Sequence, residues 1–227
     1  MNKDIVLVGC GNMGYAMLAG WLAQDSGLSF HVIEPVAELR ERAATAGART
    51  YTDSTELAAD LKPAIIILAV KPQVMDKVAP AYKQYADGSC TFVSVAAGVT
   101  IDSLKTYLSE KTPIIRTMPN TPAAIGEGMF VSYGNELVSA AAKSLTDQLL
   151  SVCGKTAWVD NENLMDAVTA ISGSGPAYMF HFIECLSQAA EKLGLPKELS
   201  QEMAIQTMAG AANLARQSDT PPGVRSE

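Results

Sequence analysis

Three glycines, Gly9, Gly11 and Gly14, form a GxGxxG turn that follows the apolar run Ile5 to Val8 and precedes a helix-compatible run from Tyr15 to Gln24. Residue types at this spacing suit the binding of a dinucleotide pyrophosphate. Gly9 permits a tight turn, Gly11 lets the backbone approach the phosphates without an intervening Cβ, and Gly14 lets the helix pack closely on the strand. The phosphates would rest on the helix N-terminus, where unpaired N–H groups and the positive end of the helix dipole favour an anion. A second strand is expected over Phe30 to Glu34, and Glu34 stands 20 residues beyond Gly14. An acid at that separation is the usual partner of a ribose hydroxyl.

Three further stretches combine small or polar side chains with the ends of expected strands. The β-branched run Ala64 to Ala69 is what a parallel strand buried on both faces requires, and Val70-Lys71-Pro72 follows it. Thr91 to Val95 runs into Ala96-Ala97-Gly98, whose side chains are small enough for a ligand to lie against the backbone. After a strand over Ile114 to Met118, Pro119 and Pro122 stiffen a loop that holds Asn120 and Thr121 where open α/β sheets place ligands. What the chain lacks is equally informative. Hydride transfer to or from an alcohol needs a positioned base, and His31 and His181, in an expected strand and an apolar helix, read as packed or partly exposed rings. A protonated imine is already an electrophile, and its reduction depends on orientation and desolvation more than on an acid or base.

The expected elements make an α/β fold, a Rossmann-type doubly wound, mostly parallel sheet over residues 1–160. A smaller all-helical domain follows over 161–227. Strands are also expected at 128–133 and 155–159, with a helix over Glu136 to Val152. Beyond Asn161 the strand signals stop. A helix over Leu164 to Ile171 is interrupted at Ser172-Gly173-Ser174-Gly175-Pro176, and amphipathic helices are expected over Ala177 to Leu193 and Glu198 to Arg216. The 227 residues suffice for both domains, and 48% hydrophobic content supports a sizeable core.

A net charge of −7 with no basic cluster argues against nucleic acid as a partner. The longest apolar run, Ala64 to Val70, is too short for a bilayer, and the start of the chain, with Lys3 before Asp4, does not read as a leader. No membrane association and a cytoplasmic location are therefore expected. Cys10, Cys90, Cys153 and Cys185 are scattered without a CxxC pair, read as apolar fillers in a reducing compartment, and suggest no metal site.

Five segments together, Gly9-Cys10-Gly11-Asn12-Met13-Gly14, Ala69-Val70-Lys71-Pro72, Ser94-Val95-Ala96-Ala97-Gly98, Arg116-Thr117-Met118-Pro119-Asn120-Thr121-Pro122 and Gly173-Ser174-Gly175-Pro176-Ala177-Tyr178, resemble the pyrroline-5-carboxylate reductase family. The β-hydroxyacid dehydrogenases, which share the architecture, carry a Lys just after the Gly-rich break, whereas Lys192 is the first to follow it in this chain. The resemblance implies reduction of 1-pyrroline-5-carboxylate to L-proline with NADPH or NADH, the last step of proline biosynthesis. It implies cofactor contacts from the glycine turn, Glu34, the segment Ala69 to Pro72, Ala97, Gly98 and Asn120. It also implies substrate contacts from Met118, Asn120, Thr121, Pro122 and Ser174, with Lys71, Asn120 and Thr121 as orienting groups, and a homodimer or higher homo-oligomer built on the helical domain. Two departures stand out. Glu34-Pro35-Val36 offers a carboxylate where NADP-preferring members offer hydroxyl or basic groups. The family also continues to a Thr-Ser-Pro-Gly-Gly-Thr-Thr-type segment that binds the substrate carboxylate, whereas this chain ends Thr220-Pro221-Pro222-Gly223-Val224-Arg225-Ser226-Glu227. On that reading the helical domain is C-terminally truncated, the last three residues are foreign to the family, and turnover is poor. The alternative is an inactive or regulatory nucleotide-binding relative.

Overall fold

The computed structural model describes residues 4–24, 26–221 and 223–224. The readings made around Lys3 and at Arg225-Ser226-Glu227 fall outside them. Eight strands form one sheet in the order β3-β2-β1-β4-β5-β6-β7-β8. They are β1 Asp4–Val8, β2 Ser29–Ile33, β3 Arg49–Tyr51, β4 Ile65–Leu68, β5 Thr91–Ser94, β6 Ile114–Met118, β7 Gly128–Gly134 and β8 Gly154–Trp158. Every neighbouring pair is parallel except β6 and β7. The helices are α1 Asn12–Leu22, α2 Ala37–Thr45, α3 Met75–Val78, α4 Ile101–Tyr107, α5 Ala140–Ser151, α6 Met165–Val168, α7 Gly175–Lys192 and α8 Lys197–Gln217.

Side chains alternate between the two faces of a strand, and the apolar strands β1 and β4 divide cleanly on that rule. Ile5, Leu7, Ile65 and Ile67 pack with Met17, Leu18 and Trp21 of α1 and with Leu149 and Leu150 of α5. Val6, Val8, Ile66 and Leu68 pack on the other face with Met75 of α3 and with Ile101 and Leu104 of α4. Both faces are therefore covered, which is why β4 reads as a continuous Ile-Ile-Ile-Leu run. The edge strand β3 carries no apolar run and escapes a sequence reading; it exists because Arg49 to Tyr51 pair with His31 to Ile33. His31 is buried, with its ring stacked on Tyr51 and its nitrogens 3.0 Å from the Tyr51 hydroxyl and 3.1 Å from Asp4 Oδ1.

The chain divides into two compact units, 1–173 and 174–227, so the division falls 13 residues beyond the expected boundary at 160. The reason is local. Glu162 accepts hydrogen bonds from the Ile101 N–H at 2.9 Å and from Arg116 Nη1 at 3.1 Å, and Met165 is fully buried, so residues 162–168 are held in the first unit. The Gly-rich stretch also differs from the expected interruption. Thr169–Gly173 forms a π-helical turn, and α7 begins at Gly175 with Pro176 in its first turn, where a missing N–H costs nothing. Within the second unit, α7 and α8 pack against each other and are joined through Gly194, whose φ of +95° the L-residues avoid.

Candidate active site

The sheet reverses its winding between β1 and β4, the two adjacent strands from which the chain proceeds outward in opposite directions. A crevice at the C-terminal ends of the strands, at this point, is where open α/β sheets hold ligands. A cavity of about 640 Å³ lies there, lined by Gly9, Gly11, Glu34, Ala69, Val70 and Lys71 among others. The glycines are placed as the spacing demands. Gly9 has φ +89°, and a Cβ on it would stand 2.8 Å from the Ala69 carbonyl oxygen. A Cβ on Gly14 would meet the Gly9 oxygen at 2.3 Å, whereas a Cβ on Gly11 would meet nothing within 4 Å. Gly11 therefore faces open space, which is the cradle a pyrophosphate needs. Gly11 caps α1 without a side-chain acceptor, and the N–H groups of Asn12, Met13 and Gly14 have no acceptor within the helix.

Glu34 is buried beneath this turn. Its Oε2 accepts from the Cys10 N–H at 2.7 Å and its Oε1 from the Val36 N–H at 3.0 Å. One peptide further on, Arg42 Nη2 donates to the Cys10 carbonyl at 2.9 Å, and its guanidinium lies 3.9 Å over the Tyr15 ring. Burial pushes the Cys10 thiol up to about 11, against the opposing pull of Arg42. This thiol is a packed, inert group, as its apolar reading requires. Lys71 is exposed at the cavity wall, and Pro72 opens the 3₁₀ turn that follows.

Sequence reading missed the opposite wall, made of Val36, Leu39, Asp53, Val74, Lys77 and Tyr82. Burial raises the Tyr82 hydroxyl well above the ordinary phenol range, so it stays protonated and able to donate. The Asp53 carboxyl is held below its usual value because the Thr55 hydroxyl and N–H both donate to it. The helical spacing of Val74, Val78 and Tyr82 was the available signal; interleaved polar residues obscured it.

The remaining candidates in the first unit line the same sheet edge, because β5 and β6 run parallel to β1 and β4. Ala97 and Gly98 are exposed just after β5, and Gly98 has φ +73°. Met118 ends β6 and is buried, with Gly173 packed against its sulfur. Asn120 is already engaged at both ends, Oδ1 accepting from the Met129 N–H at 2.8 Å and Nδ2 donating to the Ser172 carbonyl at 3.2 Å. It therefore braces the loop and keeps only one N–H and one lone pair for a ligand. Thr121 is exposed at the start of a short 3₁₀ turn, with Pro122 next to it. Ser174 belongs to the second unit. Among the described residues no group of three or more His, Cys, Asp or Glu side chains is arranged to hold a metal ion, and no helix is long and apolar enough to cross a membrane.

A nucleotide-dependent oxidoreductase is the class this fold and site define, and comparison with known proteins narrows it. Residues 4–98 match the family model described as NADP oxidoreductase coenzyme F420-dependent, and residues 162–227 match that of pyrroline-5-carboxylate reductase dimerisation. The chain is 39% identical over 220 residues to the pyrroline-5-carboxylate reductase of Pseudomonas aeruginosa, covering 96% of this chain and 80% of that protein. The structure of a pyrroline-5-carboxylate reductase from Coxiella burnetii is similar with a TM-score of 0.91 at 30% identity, over 100% of this chain and 84% of that one. A Plasmodium falciparum pyrroline carboxylate reductase with NADP bound is similar with a TM-score of 0.84 at 32% identity, over 98% and 82% of the two chains. The chain belongs to the pyrroline-5-carboxylate reductase family.

Proposed function

We propose that this chain reduces 1-pyrroline-5-carboxylate to L-proline with NAD(P)H, closing proline biosynthesis. The observation that carries the reading is spatial. The glycine turn, the segment Ala69 to Pro72, the segment Ser94 to Gly98 and the loop Met118 to Pro122 all lie at one edge of one sheet. The bound dinucleotide supplies the hydride. The chain's own part is to hold and orient: N–H groups at the head of α1 take the pyrophosphate, and Ala69, Val70 and Lys71 close over it from β4. Small side chains at Ala97 and Gly98 admit the nicotinamide end. The rigid Met118 to Pro122 loop, braced by Asn120, seats the substrate, with Lys71 and Thr121 as orienting groups. No side chain is assigned as an acid or base, since an imine already protonated needs none.

We infer that NADH is preferred to NADPH. The buried Glu34 carboxylate faces the cavity at the end of β2, where it can accept from a ribose hydroxyl and would repel a 2′-phosphate. We further infer a homodimer or larger assembly through the second unit, and a cytoplasmic location suited to four free thiols. An assay with 1-pyrroline-5-carboxylate and each nicotinamide cofactor tests the reading. Proline formed with matching loss of NADH absorbance is expected. A protein that binds NADH tightly yet forms no proline would be a nucleotide-binding relative instead.

A further inference from the structure

Cys10, in the middle of the glycine turn, is held on both of its flanking peptides by charged groups: Glu34, read so far as a ribose partner, and Arg42, which the enzymatic reading leaves without a role. Its N–H is taken by the Glu34 carboxylate at 2.7 Å, and its carbonyl by Arg42 Nη2 at 2.9 Å. Both partners are themselves fixed. Glu34 accepts a second bond from the Val36 N–H, and Arg42 sits over the ring of Tyr15, in the first turns of α1. Arg40 donates to the Glu34 and Pro35 carbonyls and holds the end of β2 on which the carboxylate depends. Charge-assisted hydrogen bonds of this kind are about twice as strong as neutral ones.

The grip has a directional consequence. With its N–H engaged by a carboxylate, Cys10 cannot donate to an anion, so the turn's free donors are those at the head of α1. The Cys10 N–H belongs to the Gly9–Cys10 peptide and its carbonyl to the Cys10–Gly11 peptide, so both planes leading into Gly11 are held, although nothing crowds the position of its absent Cβ. We propose that Arg42 and Glu34 are positioning residues for the pyrophosphate: by clamping the two peptides that flank Cys10 they aim the N–H groups of Asn12, Met13 and Gly14 at the phosphates. The proposal rests on the assignment of the cavity to a dinucleotide. It adds that Glu34 does more than choose between NADH and NADPH, since it also holds the turn that takes the pyrophosphate.

The test compares a ligand that carries the pyrophosphate with one that does not. Binding of ADP-ribose, NADH and adenosine to the full chain is measured by calorimetry for the parent, Arg42→Ala, Arg42→Lys and Glu34→Gln, together with KM for NADH and kcat. Arg42→Ala is expected to weaken ADP-ribose and NADH by about tenfold, the worth of one well-aimed charge-assisted bond. Adenosine should stay within about twofold, and KM should rise while kcat holds. Arg42→Lys, which restores one donor to the Cys10 carbonyl without the guanidinium over Tyr15, should recover part of the loss. Glu34→Gln keeps an acceptor for the Cys10 N–H without the charge and tests the other jaw if Arg42→Ala fails to fold; it should weaken ADP-ribose more than adenosine, which shares the ribose contact. Equal losses for ADP-ribose and adenosine, or no loss for either, would overturn the clamp while leaving the cofactor site standing. A parent protein that binds neither ADP-ribose nor NADH would overturn the site and the clamp together.

Discussion

The two compact units bury their apolar residues to opposite extents. In the first, β4 and β5 have no exposed position, and two sealed layers of aliphatic and aromatic side chains cover both faces of the sheet. In the second, α7 and α8 form long helices, yet the buried positions on them are only Ser187, Ser200 and Ala204. Phe180 is 64% exposed, Ile205 56% and Met179 53%. A unit of under 70 residues cannot build a core of ordinary depth by itself. The first unit is thus a finished object whose interior tolerates no addition. The second is a surface awaiting cover, and a second copy of the same helices is the cover that the dimerisation match suggests.

The sharpest way to break this contrast is to charge the open face. Phe180→Glu places a carboxylate where an apolar face would be buried twice over in a symmetric pair. The dissociation constant should rise by about 100-fold or more, from lost burial of roughly 1.5–3 kcal/mol per side chain. Sedimentation velocity would show the species shift, while the thermal unfolding of the first unit should scarcely move. Unchanged association would place the interface elsewhere.

Within the first unit the contrast sharpens at two glycines three residues apart. Gly14→Ala forces a Cβ to within 2.3 Å of the Gly9 carbonyl, so backbone must shift, at a cost of roughly 2–4 kcal/mol. A Cβ at Gly11 meets no atom of the chain within 4 Å, so Gly11→Val should unfold within about 0.5 kcal/mol of the parent yet lose NADH binding by on the order of 100-fold. Denaturant titration and NADH fluorescence separate the two outcomes. A Gly11 variant that kept its affinity would remove the pyrophosphate from this turn.

The buried ion pair is next in size. Arg116 is 3% exposed and relies on Glu162 at 3.1 Å, with Asp166 farther off at 3.6 Å. Glu162→Gln removes the charge and weakens the tie to both Arg116 and the head of α4, at a cost of about 2 kcal/mol in the unfolding of the first unit. The tie also anchors the residues leading to Ser172, the acceptor for Asn120. kcat/KM for pyrroline-5-carboxylate should therefore fall further than affinity for NADH.

What could be read from the chain beforehand follows the same division. Strands buried on both faces announce themselves, and β1, β4 and β6 fall at or within one residue of their expected limits because each is built on a run of adjacent apolar residues, Ile5 to Val8, Ile65 to Leu68 and Ile114-Ile115. The glycine turn was legible because each glycine answers a steric demand. The edge strand β3 was not, since its identity comes from pairing rather than from its own residues. Nor was the wall containing Tyr82, where a helical spacing is broken up by polar residues, or the Arg42 contact, which joins positions 32 residues apart through a backbone carbonyl. Asn120 was recognised as special for its place in the loop. Its commitment to Met129 and Ser172 is a long-range fact that local sequence does not carry.

The smallest expected effect tests how well the first unit is sealed. Cys10, Cys90 and Cys153 are buried there, while Cys185 of the second unit is exposed. Burial raises the Cys10 and Cys153 thiols from 9.0 to about 11 and the Cys90 thiol to about 12. Below the unfolded value both states hold these protons, and the thiols leave stability unchanged with pH. Above it the unfolded chain releases them and the folded chain does not, so the folded state loses ground as pH rises from about 9 toward the raised values. Each thiol gives a slope approaching about 1.4 kcal/mol per pH unit, and partial relaxation reduces the combined loss between about pH 8 and pH 9.5 to roughly 1–2 kcal/mol. Denaturant midpoints across that interval measure it. Cys90→Ala, which removes the thiol with the largest rise, should flatten the decline by about a third. In the dissociated Phe180→Glu protein an aqueous thiol reagent should label Cys185 first and reach the other three only on unfolding. Rapid labelling of Cys10 in the folded protein would mean that the glycine turn opens, and the contrast between a closed first unit and an open second would no longer hold.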